Sequence, residues 1–170
     1  MIEKNENLED RFTVAILIAS DRAAGGIRPD STGPALKKCL EEAGFYVQFY
    51  SVVADDEGAI SAAIRNWAYE DGVNVILTSG GTGLGPRDVT PEATLKVIGR
   101  RVPGLEEAMR HASVKITPNA MLSRAVAGTA ANSLIINLPG SSKGAVENFK
   151  VVEPALRHAI ELIIGRKPDP

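Results

Sequence analysis

Three short apolar runs, spaced by segments of helical pattern, restrict what this chain can fold into. The runs lie at residues 12–19, 46–53 and 73–79 and are rich in branched and aromatic residues, which is typical of strands that helices cover on both faces. Strands that alternate with helices in this way predict right-handed crossovers and parallel pairing. We therefore predict a three-layer α/β/α fold with a mostly parallel central sheet.

Capping and stop residues predict where the helices begin and end. Thr32 offers a capping hydroxyl before Pro34, and Gly44 is a stop signal. Asp55 and Asp56 can cap the next helix. The rest of the chain predicts a helix that Thr90 caps and Pro91 opens, a helix over residues 103–114, two short strands within residues 125–138 joined near Ala131 and Asn132, and a final amphipathic helix that contains Pro154.

Length and charge limit the class of protein. A chain of 170 residues is near the usual size of one domain, so we expect a flexible tail over residues 1–10 and a single domain over residues 11–166. Nineteen basic against twenty-one acidic residues give a net charge of -2, which excludes the positive field that nucleic-acid binders use. The tail lacks a targeting pattern, and no apolar run approaches the ~20 residues of a membrane span. We therefore expect a cytoplasmic protein without a membrane or nucleic-acid partner.

The most informative segment covers residues 78–91 and reads TSGGTGLGPRDVTP. Its closely spaced glycines allow backbone N–H groups to approach an anion, and the following helix N-terminus adds positive potential. A tight turn would explain two glycines, whereas four glycines followed by Arg87 and Asp88 favour a phosphate-binding site. No Gly-Lys-Ser/Thr follows, and Pro86 stands where a dinucleotide fingerprint has its third glycine. The two common nucleotide-binding motifs are therefore excluded.

Two carboxylates and one guanidinium are candidates for chemistry beside this loop. Asp88 is predicted to hold Mg²⁺, which prefers one or two carboxylates and completes its shell with phosphate oxygens and water. Asp56 follows the second strand at the same edge of the sheet, and it is equally well explained as the N-cap of the next helix. Arg87 can bind phosphate or form a surface ion pair, and its position between Pro86 and Asp88 favours phosphate.

Two further loops follow predicted strands. Ser20 and Asp21 come after the first strand, and Gly140 and Ser141 come after the last one. Because the carboxyl ends of parallel strands share one edge of a sheet, we expect all three loops to line one pocket. Ser141 and Ser142 also precede a helix, where either hydroxyl can be a cap.

Taken in order, these motifs resemble the MoaB/Mog family of molybdopterin-binding domains, and within it the MogA-type molybdopterin adenylyltransferases. The resemblance covers nearly the whole chain after the tail, and one departure is Ser142, where several relatives carry proline. The most specific part is SGGTGLGPRDVTPEAT at residues 79–94, and the other parts are SDR at 20–22, DSTGP at 30–34, PGL at 103–105, KITPNAMLSRAVAG at 115–128 and LIINLPG at 134–140.

The resemblance implies that the terminal phosphate of molybdopterin attacks the α-phosphate of ATP, which releases pyrophosphate and leaves adenylylated molybdopterin. It also implies Mg²⁺, a homotrimer and a downstream molybdate-inserting enzyme of the MoeA type. Carried onto this sequence, it assigns catalysis and metal binding to Asp56 and Asp88, nucleotide phosphate to Gly80, Gly81, Thr82 and Gly83 with Arg87 beside them, and molybdopterin to Ser20, Asp21, Gly140 and Ser141.

Two other functions stay open at this point. A MoaB-type protein of the same fold binds molybdopterin with little or no adenylyltransferase activity, and the presence of Asp56, Asp88 and the RDVTPEAT run favours the enzyme. A scaffold role, as in animal fusions where this domain clusters receptors, is disfavoured because the sequence shows no fused partner domain or long linker.

Overall fold

The computed structural model describes residues 12–166. The tail predicted for residues 1–10 lies outside that range. In chain order the elements are β1 (Thr13–Ala19), α1 (Asp21–Ala24), α2 (Thr32–Glu42), β2 (Tyr46–Val53), α3 (Glu57–Tyr69), β3 (Val75–Ser79), α4 (Thr90–Leu95), β4 (Arg100–Arg101), α5 (Pro103–Val114), a 3-10 helix (Pro118–Leu122), β5 (Ala127–Ala130), β6 (Ser133–Leu138) and α6 (Ser142–Ile163).

The strands form one sheet in the order β2-β1-β3-β6-β5-β4. Strands β2, β1, β3 and β6 pair in parallel, whereas β5 is antiparallel to β6 and β4 is antiparallel to β5. The predicted mostly parallel sheet is therefore confirmed. The strands expected within residues 125–138 form the β5–β6 hairpin, in which Ala131 has a φ of 48°. All four parallel strands direct their carboxyl ends to one edge of the sheet.

Helices cover both faces of the sheet, so the predicted three layers are also confirmed. Along β1, Val14 and Ile16 pack in the core beneath α2 and α6, whereas Ala15 and Leu17 pack in the core beneath α3 and α4. The alternation follows because successive side chains of a strand point to opposite faces. Each fully buried Val, Leu or Ile side chain stabilises the fold by roughly 1.5–3 kcal/mol. Because both faces of β1 are buried, its side chains on both faces are apolar, and its sequence is a continuous apolar run.

The hydroxyl cap predicted for α2 is wrong. The Asp30 carboxylate accepts hydrogen bonds from the N–H groups of Thr32 at 2.9 Å and Gly33 at 2.8 Å. Because one carboxylate satisfies both backbone donors, the Thr32 hydroxyl is not needed as a cap. That hydroxyl donates instead to the carbonyl oxygen of Gly140 at 3.3 Å. The start of α2 is thereby tied to the loop after β6.

The cap predicted at Thr90 is wrong as well. Thr90 is the first residue of α4, and its N–H donates to the carbonyl oxygen of Gly81 at 3.1 Å. Pro91 lies in the first turn, as predicted, where a missing N–H does no harm. A backbone bond to the glycine-rich loop therefore fixes the start of α4, in place of a side-chain cap.

The last helix, α6, contains Pro154 and still runs from Ser142 to Ile163. Val152, Leu156 and Ile160 are buried along one face, which agrees with the predicted amphipathic spacing. Among residues 12–166, the helices lack the combination of length and apolarity that a bilayer crossing requires.

Candidate active site

A cavity of about 480 Å³ opens at the carboxyl edge of the sheet. The loops after β1, β2, β3 and β6 all line it, as expected where parallel strands end together. The predicted site residues in its lining are Ser20, Gly80, Gly81, Asp88, Gly140 and Ser141. The structure therefore brings residues of all three sequence motifs to one pocket, although Asp21, Thr82, Gly83 and Arg87 are not among those that line it.

Two glycines after β3 adopt backbone conformations that other residues rarely adopt. Gly80 has a φ of 101° and Gly81 a φ of 62°. A Cβ atom on Gly80 would lie 2.2 Å from the carbonyl oxygen of Ala19, and one on Gly81 would lie 2.4 Å from the Thr90 hydroxyl oxygen. Glycine is therefore needed here both for the turn and for the close approach of neighbouring chain segments.

The backbone amides of this loop differ in whether they have a hydrogen-bond acceptor within the protein. The Gly80 N–H donates to the carbonyl oxygen of Leu138 at 3.3 Å. The N–H groups of Gly81, Thr82 and Gly83 make no hydrogen bond to an acceptor within residues 12–166. Consecutive backbone N–H groups without a protein acceptor are typical of anion-binding loops.

Asp88 makes two hydrogen bonds to Gly85 within the same loop. Its Oδ2 atom accepts a hydrogen bond from the Gly85 N–H at 2.7 Å, and its own N–H donates to the Gly85 carbonyl oxygen at 3.0 Å. A Cβ atom on Gly83 would lie 2.9 Å from the same Oδ2 atom. The half-buried carboxylate is therefore packed against glycine backbone at the wall of the cavity.

The neighbouring aspartates after β2 have different surroundings. Asp56 accepts a hydrogen bond from the Ala59 N–H at 2.7 Å and is the N-cap of α3, which confirms the capping interpretation. It is not among the residues that line the cavity, whereas Asp55 is. The Asp55 Oδ1 atom lies 3.3 Å from where a Cβ atom on Gly81 would stand. The structure thus pairs Asp55, which the sequence analysis treated only as a cap, with Asp88 across the glycine loop.

Asp21 joins Arg87 to the loop after β2. The Arg87 guanidinium donates to both Asp21 carboxylate oxygens, at 3.0 Å and 2.9 Å. The Asp55 N–H also donates to the Asp21 carboxylate at 3.0 Å, and the Asp21 N–H donates to the Asp55 carboxylate at 2.9 Å. Of the two roles predicted for Arg87, the structure shows the ion pair. Through it, Arg87 links the glycine loop to the residues that follow β1.

The surroundings of Asp21 and Asp55 shift the pKa values of these two carboxylates in opposite directions. The hydrogen bonds from Arg87 and then from the Asp55 N–H hold the pKa of Asp21 below its usual value. Burial raises the pKa of Asp55, and the like charges of Asp21 and Asp88 raise it further. A cation placed in the cavity would therefore favour the ionised form of Asp55.

The loop after β6 has no charged residue before α6. Ser141 accepts a hydrogen bond from the Gly144 N–H at 3.1 Å and is the N-cap of α6. A Cβ atom on Gly140 would lie 3.2 Å from the Gly80 Cα atom, so the two glycine loops touch. The Ser142 hydroxyl is 2.8 Å from the Ser31 hydroxyl. This loop therefore forms a wall of the cavity.

A second cavity of about 300 Å³ adjoins the first. Ser141 lines both, and Thr82 and Gly83 of the glycine loop line the second. Most of its other lining residues belong to α5, the 3-10 helix and α6, including Met109 and Asn148. Thr82, Gly83 and Ser141 are thus predicted site residues that line this cavity, whereas no site residue was predicted in α5, the 3-10 helix or α6.

A three-layer α/β protein with a glycine-rich loop and two carboxylates at the carboxyl edge of its sheet belongs to the large class of α/β proteins that bind ligands there. Residues 15–158 match the family described as "Probable molybdopterin binding domain". The chain therefore belongs to this molybdopterin-binding domain family.

Known relatives agree with this membership. A molybdopterin adenylyltransferase from Helicobacter pylori is 41% identical over 157 residues, which cover 89% of this chain and 88% of that protein. The gephyrin of Dictyostelium discoideum is 44% identical over 165 residues, and the match covers 91% of this chain but only 23% of that longer protein. The crystal structure of the molybdopterin biosynthesis enzyme MoaB from Thermus thermophilus has a TM-score of 0.87 at 48% identity and covers 92% of this chain and 98% of that one.

Proposed function

We propose that this protein transfers an adenylyl group from ATP to molybdopterin in the biosynthesis of the molybdenum cofactor. Relatives that are named molybdopterin adenylyltransferase match at 41% and 38% identity. The observation that carries the proposal is that Asp55 and Asp88 line one cavity together with Gly81, whose amide has no acceptor within residues 12–166. Carboxylates beside an anion-binding loop suit the transfer of a charged phosphorus group.

The reaction forms one bond and breaks one. A phosphate oxygen of molybdopterin attacks the α-phosphorus of ATP, the bond from that phosphorus to the oxygen bridging to the β-phosphorus breaks, and pyrophosphate leaves with the bonding electrons. The phosphate oxygen is already ionised, so no covalent nucleophile from the protein is required. The loop amides of Gly81, Thr82 and Gly83 bind the phosphates, and the chain's main contribution is to align the two substrates.

The carboxylates fit a magnesium ion held jointly with substrate. Within residues 12–166, no three side chains of the His, Cys, Asp and Glu types are close enough to form a complete metal site. Mg²⁺ commonly takes one or two carboxylates and completes its shell with phosphate oxygens and water, and Asp55 and Asp88 supply that number. The pKa of Asp55 is raised in this structure, and a bound cation would lower it by stabilising the ionised carboxylate. When bound, Mg²⁺ would neutralise charge on the phosphates.

The remaining site residues have proposed roles in substrate binding. We assign molybdopterin to the walls formed by Ser20, Gly140 and Ser141 and to Asp21 beside them. We retain Arg87 as a phosphate ligand that exchanges its bond to Asp21 for one to substrate. Asp55 replaces Asp56 in the catalytic pair. From the family resemblance we further propose a cytoplasmic homotrimer that passes its product to a molybdate-inserting enzyme of the MoeA type.

The test is to incubate the protein with molybdopterin, ATP and Mg²⁺ and to follow the products by chromatography and mass spectrometry. We expect adenylylated molybdopterin and pyrophosphate in equal amounts, and a strong loss of both when Mg²⁺ is chelated. Molybdopterin binding without product would instead identify a binding protein of the MoaB type, and that result would refute the enzyme assignment.

A further inference from the structure

Arg124 belongs to the motif at residues 115–128, to which the proposed function gives no role. Its Nε atom donates to the carbonyl oxygen of Gly83 at 2.6 Å, and its Nη2 atom donates to the carbonyl oxygen of Asp88 at 2.6 Å. Its backbone N–H donates to the carbonyl oxygen of Thr82 at 2.9 Å. A single residue therefore bonds both the glycine part of the loop and the residue that carries the carboxylate.

Arg124 is itself held in place. Its Nη1 atom donates to the Glu92 carboxylate in the first turn of α4, the helix that follows the loop. Three donors of one planar guanidinium thus point to three acceptors, a geometry that the single ammonium nitrogen of lysine does not reproduce. The neighbours Ser123 and Ala125 line the second cavity, so the same residue joins the wall of that cavity to the loop.

We propose that Arg124 is a positioning residue for adenylyl transfer, which rests on the function proposed above. It fixes the Asp88 carboxylate relative to the amides of Gly81, Thr82 and Gly83, so that metal and phosphate meet in one geometry. Within the loop, the bonds between Asp88 and Gly85 set only the local turn. Transfer that depends on alignment is sensitive to such fixing, because a displacement of about 1 Å can lower the rate roughly hundredfold.

The first measurement is hydrogen exchange of the free protein, which does not depend on activity. Arg124→Met removes all three guanidinium bonds at similar side-chain length, and Arg124→Lys keeps the charge beside Glu92. Arg65→Met is the matched control, because the Arg65 guanidinium donates to a backbone carbonyl oxygen, that of Lys96 at 3.2 Å, outside the site. The informative amides are those that are hydrogen-bonded in the loop, namely Gly85, Asp88 and Thr90. We expect faster exchange at these amides in Arg124→Met, an intermediate rate in Arg124→Lys, and no change in the control or in strands β1 and β6.

The second measurement is steady-state turnover with the melting temperature of each variant. We expect kcat to fall about tenfold to hundredfold in Arg124→Met, with a smaller fall in Arg124→Lys and little change in KM for molybdopterin. Arg124→Lys supplies the comparison if Arg124→Met loses its cooperative melting transition.

Two results would overturn the proposal. One is unchanged exchange at the Gly85, Asp88 and Thr90 amides, and the other is a loosened loop with wild-type kcat, which would make Arg124 a structural residue only. If the wild-type protein formed no adenylylated product, the proposed function would fail, whereas the exchange comparison would still show whether Arg124 fixes the loop.

Discussion

The loops after β3 and β6 leave adjacent parallel strands and reach the same cavity, but they are built differently. Residues 80–89 separate β3 from α4, whereas only residues 139–141 separate β6 from α6. The longer loop carries Arg87 and Asp88, and Arg124 holds it from a distant part of the chain. The shorter loop consists of proline, glycine and serine, and it ends in the N-cap of a long helix.

The difference shows what loop length provides at the edge of a sheet. A short loop leads straight into its helix, so it offers a small surface against which a ligand can pack. A longer loop can place charges and unpaired amides beside that surface, but it needs contacts from elsewhere to hold one conformation. We therefore expect substitutions in the β3 loop to affect turnover and those in the β6 loop to have milder effects.

The largest effect is expected from Asp88→Asn. The amide keeps an oxygen that can accept the Gly85 N–H bond, so the loop should keep its shape, whereas the charge that faces metal and phosphate is lost. We expect turnover to fall at least about hundredfold with little change in melting temperature. Turnover at the wild-type rate in the purified variant would remove Asp88 from the catalytic pair.

The next largest effect is a loss of stability, and it is expected to differ between Gly80 and Gly140, which contact each other. Gly80→Ala must hold a φ of 101° and bring its Cβ atom toward the Ala19 carbonyl oxygen, which we expect to lower the free energy of unfolding by about 2 kcal/mol or more. Gly140→Ala meets only a contact of 3.2 Å with the Gly80 Cα atom and should lose less. Chemical denaturation of both variants measures the difference, and equal losses would show that the two loops are equally constrained.

A smaller effect concerns the ion pair between Arg87 and Asp21. Because Arg87 lowers the pKa of Asp21, the ionised carboxylate stabilises the fold above its ordinary pKa of 3.8, and that contribution disappears as pH falls through the lowered folded-state value. Arg87→Met should therefore raise the pKa of Asp21, as seen by carboxyl NMR titration. The stability difference from wild type should be present at neutral pH and absent well below pH 3.8. An unchanged Asp21 titration would mean that the pair does not form in solution.

The smallest effect is expected from Ser142→Pro. Ser142 is the first residue of α6, where proline is favoured because an N–H at that position has no partner within the helix. The substitution removes the hydroxyl contacts with Ser31 and Thr32, which are partly exposed. We expect a change in unfolding free energy within about 0.5 kcal/mol and nearly normal turnover. A large loss would show that the Ser142 hydroxyl holds the loop after β6.

The fold was predictable from the sequence because its signals are local. Apolar runs and helical periodicity indicate strands and helices without knowledge of their neighbours, and parallel order then predicts which loops meet. The cap at Thr32 failed because a nearby carboxylate, that of Asp30, accepts from the N–H groups at the start of α2. The cap at Thr90 failed because its partner, the Gly81 carbonyl oxygen, reaches it only in the folded loop. Arg124 carried no local signal for the same reason, since its acceptors are brought to it by the fold.

The sequence alone did not decide which of the two aspartates after β2 faces the cavity. Asp56 has extended backbone angles of φ -123° and ψ 122°, and adjacent residues in extended chain point to opposite sides. A shift of one residue therefore decides which carboxylate faces the cavity and which one caps α3. Either aspartate satisfies the sequence pattern, so only the structure separates them.

The most direct test of the account compares Asp55→Asn with Asp56→Asn in the adenylyl transfer assay. Asparagine caps a helix about as well as aspartate, and it keeps an acceptor for the Asp21 N–H in place of Asp55, so both variants should fold. Because burial and like charges raise the pKa of Asp55, loss of its charge should not destabilise the protein at neutral pH. The account predicts that Asp55→Asn lowers turnover at least about hundredfold while Asp56→Asn retains the wild-type rate. Full activity in Asp55→Asn, or its loss only in Asp56→Asn, would contradict it.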